Sequence, residues 1–162
     1  MKPERMLNYF LIVLSLFPAW PSNACVCSDF EMLPEVSEKH LDESSYQLFT
    51  GKIIGIETLT EPLYPDTTGL SDYQKTQSRS FQLITISVIR SYGSQITTDT
   101  IRIATGMGVP DCGITFFKKK KKYLFTVGTK EANKAYFWTS ICLPNRELKH
   151  AKSEIEFIEN NR

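Results

Sequence analysis

Four cysteines, Cys25, Cys27, Cys112 and Cys142, have the most chemistry open to them in this chain. Cysteine thiolates can bind a metal, exchange electrons or close disulfides, and spacing separates these uses. Cys25-Val26-Cys27 leaves one residue between the first two sulfurs. Metal sites generally want two residues or more between cysteines together with clustered His or Cys partners, and redox sites favour Cys-x-x-Cys. Disulfides are therefore expected. A Cys25–Cys27 bond would close a ring too tight for ordinary disulfide geometry, which leaves the two pairings that tie this segment to two distant points. Each cross-link then closes a loop of about a hundred residues, for which chain entropy predicts roughly 4 to 5 kcal/mol of stabilisation. The segment around Cys25 should be held where a terminus would ordinarily fray.

Other residue types with catalytic or binding potential are less organised. There is no nucleophile–base arrangement, no HExxH and no cofactor fingerprint in the sequence, so an enzyme is not expected. Asp42-Glu43 lacks a partner that would make it an acid/base pair, and Gly106-Met107-Gly108 lacks the lysine or helix context of a phosphate loop. Both read as turns. His40 and His150 are isolated and read as surface residues. Lys118, Lys119, Lys120, Lys121 and Lys122 form a basic run, enlarged by Lys130 and Lys134, that suits either a solvated hairpin or a polyanion site. Aromatic residues such as Phe81, Tyr123, Phe125, Tyr136 and Trp138 could stack bases or sugars, but in a small barrel most belong in the core.

The compartment must allow disulfides, and the first residues supply a reason. Lys2 and Arg5 precede the apolar run Leu7 to Phe17, and Ser22 and Ala24 set up a signal-peptidase cut after Ala24. An eleven-residue run is too short to span a bilayer, which takes about 20 residues. A secreted chain, or a periplasmic one in a Gram-negative cell, beginning at Cys25 is the expectation. The full sequence has 162 residues, 19 Lys and Arg, 18 Asp and Glu, and 41% hydrophobic residues. The leader holds Lys2, Arg5 and Glu4, so residues 25–162 carry 17 charges of each sign. A neutral chain of this size fits one globular domain and a monomer, and gives no general electrostatic reason to bind nucleic acid.

Elements that could position the cysteines are mostly strands. Residues 28–45 are acidic, with Leu33, Val36 and Leu41 allowing a short helix limited by Pro34. Tyr46 to Leu59 is rich in β-branched and aromatic residues, and its glycines predict a bent or bulged strand. Thr60 to Ser78 reads as a long loop. Alternation from Phe81 to Ile89 predicts a second strand and Thr100 to Ala104 a third. Tyr123 to Val127 and Tyr136 to Ile141 supply two more. Leu148, Ala151, Ile155 and Ile158 fall on one helical face. Five strands and a terminal helix point to a small barrel.

These segments, in this order, resemble the inhibitory domain of the tissue inhibitors of metalloproteinases, within the netrin-like superfamily. The resemblance rests on Cys-Val-Cys at the expected start of the exported chain and on Phe49-Thr-Gly-Lys-Ile-Ile-Gly, Ile86-Ser-Val-Ile-Arg-Ser-Tyr-Gly and Asp99-Thr-Ile-Arg-Ile. Asp111-Cys112-Gly113, Tyr123-Leu-Phe-Thr-Val-Gly and Thr139-Ser-Ile-Cys142 continue it. It implies an all-β, five-stranded, OB-fold-like Greek-key barrel with a C-terminal helix and a short N-terminal helical segment. It also implies the crossed pairing Cys25 with Cys112 and Cys27 with Cys142. The expected partner is a zinc metalloprotease, whose zinc the α-amine and carbonyl of Cys25 would chelate while Val26 enters the specificity pocket. Cys27, Ser28 and Asp29 would continue along the cleft, and Val109, Pro110, Asp111 and Cys112 would form a second contact segment. No cofactor of the chain's own is implied. The family's third disulfide in this domain and its second, cysteine-rich domain have no counterpart in this sequence. A non-inhibitory netrin-like binding module and a polyanion-binding OB-fold are the alternative readings.

Overall fold

A computed structural model describes residues 25, 27, 34–64, 66–130 and 134–162, with residue 109 described by its backbone alone. The leader, Val26, Ser28 and Asp29 lie outside the described residues. The long hairpin β1 (Tyr46–Pro62) and β2 (Ser78–Ser91) is followed by β3 (Thr100–Thr105), β4 (Lys122–Gly128), β5 (Phe137–Trp138) and β6 (Arg146–Glu147). Helix α1 (Asp72–Lys75) lies in the hairpin connection and α2 (Lys152–Asn160) closes the chain. Among the described residues the strands form one mixed sheet in the order β5-β3-β2-β1-β4-β6, in which only β3 and β5 run parallel.

Alternation explains which side chains face inward. Phe49, Ile53, Ile84, Ile86, Ile103 and Phe125 are fully buried in the main core, with Phe49 stacked on Phe125 at 4.9 Å between ring centroids. Leu48 is as buried as its neighbour Phe49, although successive side chains of a strand face opposite ways. A second cluster covers that outer face: Val36, Leu48 and Leu124 pack with Ala151 and Ile158 at the start and far side of α2. Both faces of the sheet are thus occupied where β1 meets β4. The register of β1 on β2 slips between Thr50 and Gly51 and again between Ile53 and Gly55. A Cβ at Gly51 would lie 2.4 Å from Ile86 Cγ2, so the bend requires glycine there.

The seam between β4 and β5 is crossed by side chains. Thr139 Oγ1 donates to Thr126 O at 2.8 Å, and Thr126 Oγ1 donates to Pro144 O at 2.7 Å. Asn145, buried in the same place, donates to Thr139 Oγ1 and Leu143 O and accepts from Thr126 N. A buried amide with donors and acceptor all satisfied fixes the chain that returns from β5 to β6.

Several sequence expectations are corrected. The sheet has six strands, because Arg146 and Glu147 pair antiparallel with Leu124 and Tyr123 before the terminal helix begins. The strand expected over Tyr136 to Ile141 is confined to Phe137–Trp138, since Thr139 and Asn145 turn the following residues into the seam. Thr60 to Ser78 is shorter as a loop: β1 runs on to Pro62, β2 begins at Ser78, and Ser71 caps a helical turn by accepting from Gln74 N. The short N-terminal helix is a 3-10 turn over Glu38–Leu41. His40 in it is buried, not a surface residue, because its Nδ1 accepts from Ser37 N at 3.1 Å and its ring lies against Tyr46. Trp138 stays 37% exposed while Phe81, Tyr123 and Phe125 are core.

The terminal helix is anchored by charge as well as by its apolar face. Glu154 is buried and accepts from Arg146 Nε at 2.8 Å, joining α2 to β6. Breaking a buried pair strands one charge, and Arg146 keeps about a third of its exposure, so Glu154→Gln is expected to cost about 2 kcal/mol. Urea unfolding of the oxidised protein measures this; a loss below about 0.5 kcal/mol would assign the anchoring to Ala151 and Ile158 alone.

Candidate functional site

Two disulfides meet at one end of the barrel. Cys25 is bonded to Cys112, with Cα atoms 5.0 Å apart, and Cys27 to Cys142, with Cα atoms 5.4 Å apart. This is the crossed pairing that the resemblance implies. The two bonds touch, because Cys25 Sγ lies 3.8 Å from Cys142 Sγ. Neither sulfur carries a proton, so the approach is van der Waals contact. Cys25, Cys27 and Cys142 place their sulfurs within 4.8 Å of one another, a cluster that would suit a metal if the sulfurs were thiolates. Bonded as disulfides they offer no thiolate, and the cluster is structural.

Burial distinguishes the two ends of the Cys-x-Cys segment. Cys27 is 6% exposed and belongs to the main core with Phe49, Phe117 and Ile141. Cys25 packs against that core from outside and keeps partial exposure. The chain therefore enters the barrel at Cys27 and leaves Cys25 at the surface beside the loop that carries Cys112. That loop is built tightly. Asp111 accepts from Met107 N at 2.6 Å and from Gly108 N at 2.7 Å, while Gly113 N donates to Gly108 O at 2.7 Å. Thr105 Oγ1 accepts from Ile114 N at 3.1 Å, fastening the loop's exit to the end of β3. Cys112 O accepts from Ile141 N at 2.9 Å, so the two cysteine-bearing loops are also joined through the backbone.

Close approach dictates the loop's residues. A Cβ on Gly113 would sit 2.2 Å from Gly106 O, so the two strands of the loop meet only because glycine is there. Cys112 has φ of 60°, a left-handed conformation that costs a non-glycine residue about 1 kcal/mol or more and is held by the disulfide and the surrounding bonds.

The residues singled out from sequence fall into three groups, of which Val26, Ser28 and Asp29 lie outside the described residues. Cys25, Cys27, Cys112 and Cys142 come together as expected. Pro110 and Asp111 lie in a 3-10 turn, Val109–Asp111, exposed next to Cys112. The Asp111 carboxylate is spent on its own loop: it acts as the loop's rivet and leaves the neighbouring Met107, 41% exposed, as the larger apolar surface there. Asp111→Ala should cost about 1 to 2 kcal/mol, the range for an exposed charge-assisted pair of bonds, and should speed amide exchange at Met107 and Gly108. Unchanged exchange at both amides would contradict the rivet role. Asn145, which sets the path of the Cys142 loop, and Met107 were not legible as site residues, since each stands alone in a turn with no repeating pattern.

The basic run lies on the same sheet but in a different loop. Lys118 to Lys122 are all exposed, and the turn is bonded to β1 through Lys120 N to Ile53 O at 2.8 Å and Ile53 N to Lys121 O at 3.0 Å. Asp42 does turn chemistry, accepting from Ser44 N and Ser45 Oγ, and hydrogen bonds from Ser44 hold its carboxyl below the usual range. Glu43 instead reaches out of the turn, accepting from Ser94 N at 3.0 Å and from Arg162 at 3.3 Å. No helix among the described residues is long and apolar enough to cross a membrane. A scan of known protein families finds no model that matches the chain, and a search of curated proteins finds no match to it.

Proposed function

We propose that the chain is an exported, netrin-like inhibitor of zinc metalloproteases that acts through Cys25. The observation that carries this reading is the crossed pair of disulfides, which presents a half-buried Cys25 at the surface beside the Cys112 loop while Cys27 is sunk in the core. A catalytic zinc holds three protein ligands and keeps one position open for water. Once the leader is cut after Ala24, the free α-amine of Cys25 would take that position and its carbonyl would close a five-membered chelate ring by adding a fifth ligand, an expansion that catalytic zinc tolerates. Val26 then enters the protease's specificity pocket, Ser28 and Asp29 follow the cleft, and the loop of Val109, Pro110 and Asp111 contacts its other side.

Preorganisation supports the mechanism. The cross-links hold Cys25 and Cys27, and the Asp111 rivet holds the Cys112 loop, before binding, which reduces the ordering entropy lost on association. In this reading the protein's role is to occupy a partner's catalytic metal. The test is titration of a panel of zinc metalloproteases, bacterial members included, with the oxidised protein beginning at Cys25. Stoichiometric inhibition of at least one member is expected. No inhibition across the panel would leave a netrin-like binding module with structural disulfides as the better reading.

A further inference from the structure

The lysine run gathers charge that its own sequence position does not reveal. Lys52 on β1 is the register partner of Lys122 on β4, so two exposed like charges stand directly opposite one another, an arrangement that weakens a sheet. Lys149 approaches from the segment after β6. Together with Lys118 to Lys122 these make seven lysines at one end of the β1–β4 pair. Among the described residues the one acid paired with them is Glu147, which meets Lys121 at 3.5 Å and Lys149 at 3.4 Å. Partial burial works to raise the Glu147 carboxyl, but Lys149 and Lys121 hold it below the usual range, so it stays charged. The patch keeps a formal excess of six positive charges on a chain that is neutral over residues 25–162.

The patch is shaped and fixed. Lys120, Lys121, Lys122, Glu147, Leu148 and Lys149 line an open, shallow groove of about 420 Å³. Its backbone is tied to β1 by the Lys120 and Lys121 bonds to Ile53, and its base by Tyr123, whose hydroxyl accepts from Lys118 N and donates to Phe116 O. Lys120 occupies a left-handed conformation, φ 68°, where glycine would be unstrained. Repulsion across Lys52 and Lys122 and strain at Lys120 both work against the isolated fold, and an anion in the groove would relieve the first.

We infer that this groove binds a linear polyanionic polysaccharide, independently of the Cys25 site. A linear chain of closely spaced sulfates or carboxylates can reach the ammonium groups of Lys120 to Lys122 and of Lys149 together, its repeated charges matching the local excess of six, and vesicles test the alternative of an anionic bilayer.

The experiment measures binding of a heparin oligosaccharide to the oxidised protein at several salt concentrations, beside vesicles of phosphatidylserine and phosphatidylcholine in equal parts. The wild-type protein is expected to bind the oligosaccharide with an affinity that falls steeply with salt, and to bind it better than the vesicles. Combining Lys119→Gln, Lys120→Gly and Lys122→Gln should weaken binding about tenfold and flatten the salt dependence. The unfolding midpoint should not fall, since Lys120→Gly relieves strain and Lys122→Gln removes a repulsion. Lys130 and Lys134 do not join the run: Lys130 follows the far end of β4 and lines a cavity with Ile101 and Phe137, and Lys134 pairs with Glu61. Lys75→Gln with Lys130→Gln, outside the patch, should therefore leave binding unchanged. Absence of oligosaccharide binding at low salt, equal loss in the two sets of variants, or stronger binding to vesicles would each overturn the assignment.

Discussion

A single alanine placed ahead of Cys25 is expected to weaken inhibition of a susceptible zinc metalloprotease by about two orders of magnitude or more. The added residue converts the α-amine of Cys25 into an amide N–H, which has no lone pair to give at neutral pH. The carbonyl alone cannot close the chelate ring, and the alanine must also occupy the space that the zinc-bound water leaves. Nothing in the barrel should change, because Cys25 is cross-linked through its side chain to Cys112 and its partial exposure leaves room for a preceding residue. Fold and function are thus separated by one residue. Inhibition should also depend on pH. The amine must be unprotonated to bind, and its ordinary pKa is about 7.7 to 8.0, so affinity should fall by about tenfold per unit as pH drops below that range. Affinity that rises with acidity, after allowance for the protease's own ionisations, would contradict chelation by this amine.

Removing the Cys27–Cys142 bond is expected to cost the fold about 4 kcal/mol. The two cross-links are not independent. With Cys25–Cys112 intact, the shortest path between Cys27 and Cys142 runs back through that bond and then along the residues from Cys112 to Cys142, closing a ring of about thirty residues. The chain-entropy relation gives about 4 kcal/mol for that ring, against nearly 5 for the first bond formed across a hundred residues. Loss of both bonds then costs about 8 to 9 kcal/mol, comparable with the whole stability of an ordinary domain. Cys27→Ser with Cys142→Ser should therefore remain folded but reach its urea midpoint much earlier, and the protein with all four cysteines replaced should not fold. The deeply buried Cys27 adds to the effect, because serine carries a hydroxyl into a core lined by Phe49 and Phe117. A loss below about 1 kcal/mol for the double variant would mean that the unfolded chain is already compact around the Cys112 loop.

Long strands were legible in the sequence because alternation repeats often enough to be seen. Phe81 to Ile89 and Tyr46 to Leu59 are strands, and the glycine at 51 marks the bulge where Ile86 presses against the backbone. The disulfide pairing was legible only through resemblance, since spacing alone leaves two choices. What escaped reading has no period to read. A strand of two residues such as Arg146–Glu147 carries no pattern, and its existence depends on Asn145 satisfying three buried partners across the β4–β5 seam. His40 reads as an isolated surface residue, yet a local bond to Ser37 and the ring of Tyr46 bury it. Lys52 and Lys149 lie far from the lysine run in sequence, and only strand register and the short β6 bring them to it. At the candidate site the cysteines, Pro110 and Asp111 were named from sequence, while the inward turn of the Asp111 carboxylate follows from amides that no motif records.

Whether the amine of Cys25 binds a partner's catalytic metal is tested most directly by the visible spectrum of a cobalt-substituted metalloprotease. Cobalt(II) reports its own ligands, so replacing bound water by an amine and a carbonyl must change its absorption bands. Addition of the oxidised protein beginning at Cys25 is predicted to shift those bands at one-to-one stoichiometry, and the alanine-extended form to leave them as they are. Bands that stay unchanged while the protease is inhibited would place the contact away from the metal and contradict the mechanism.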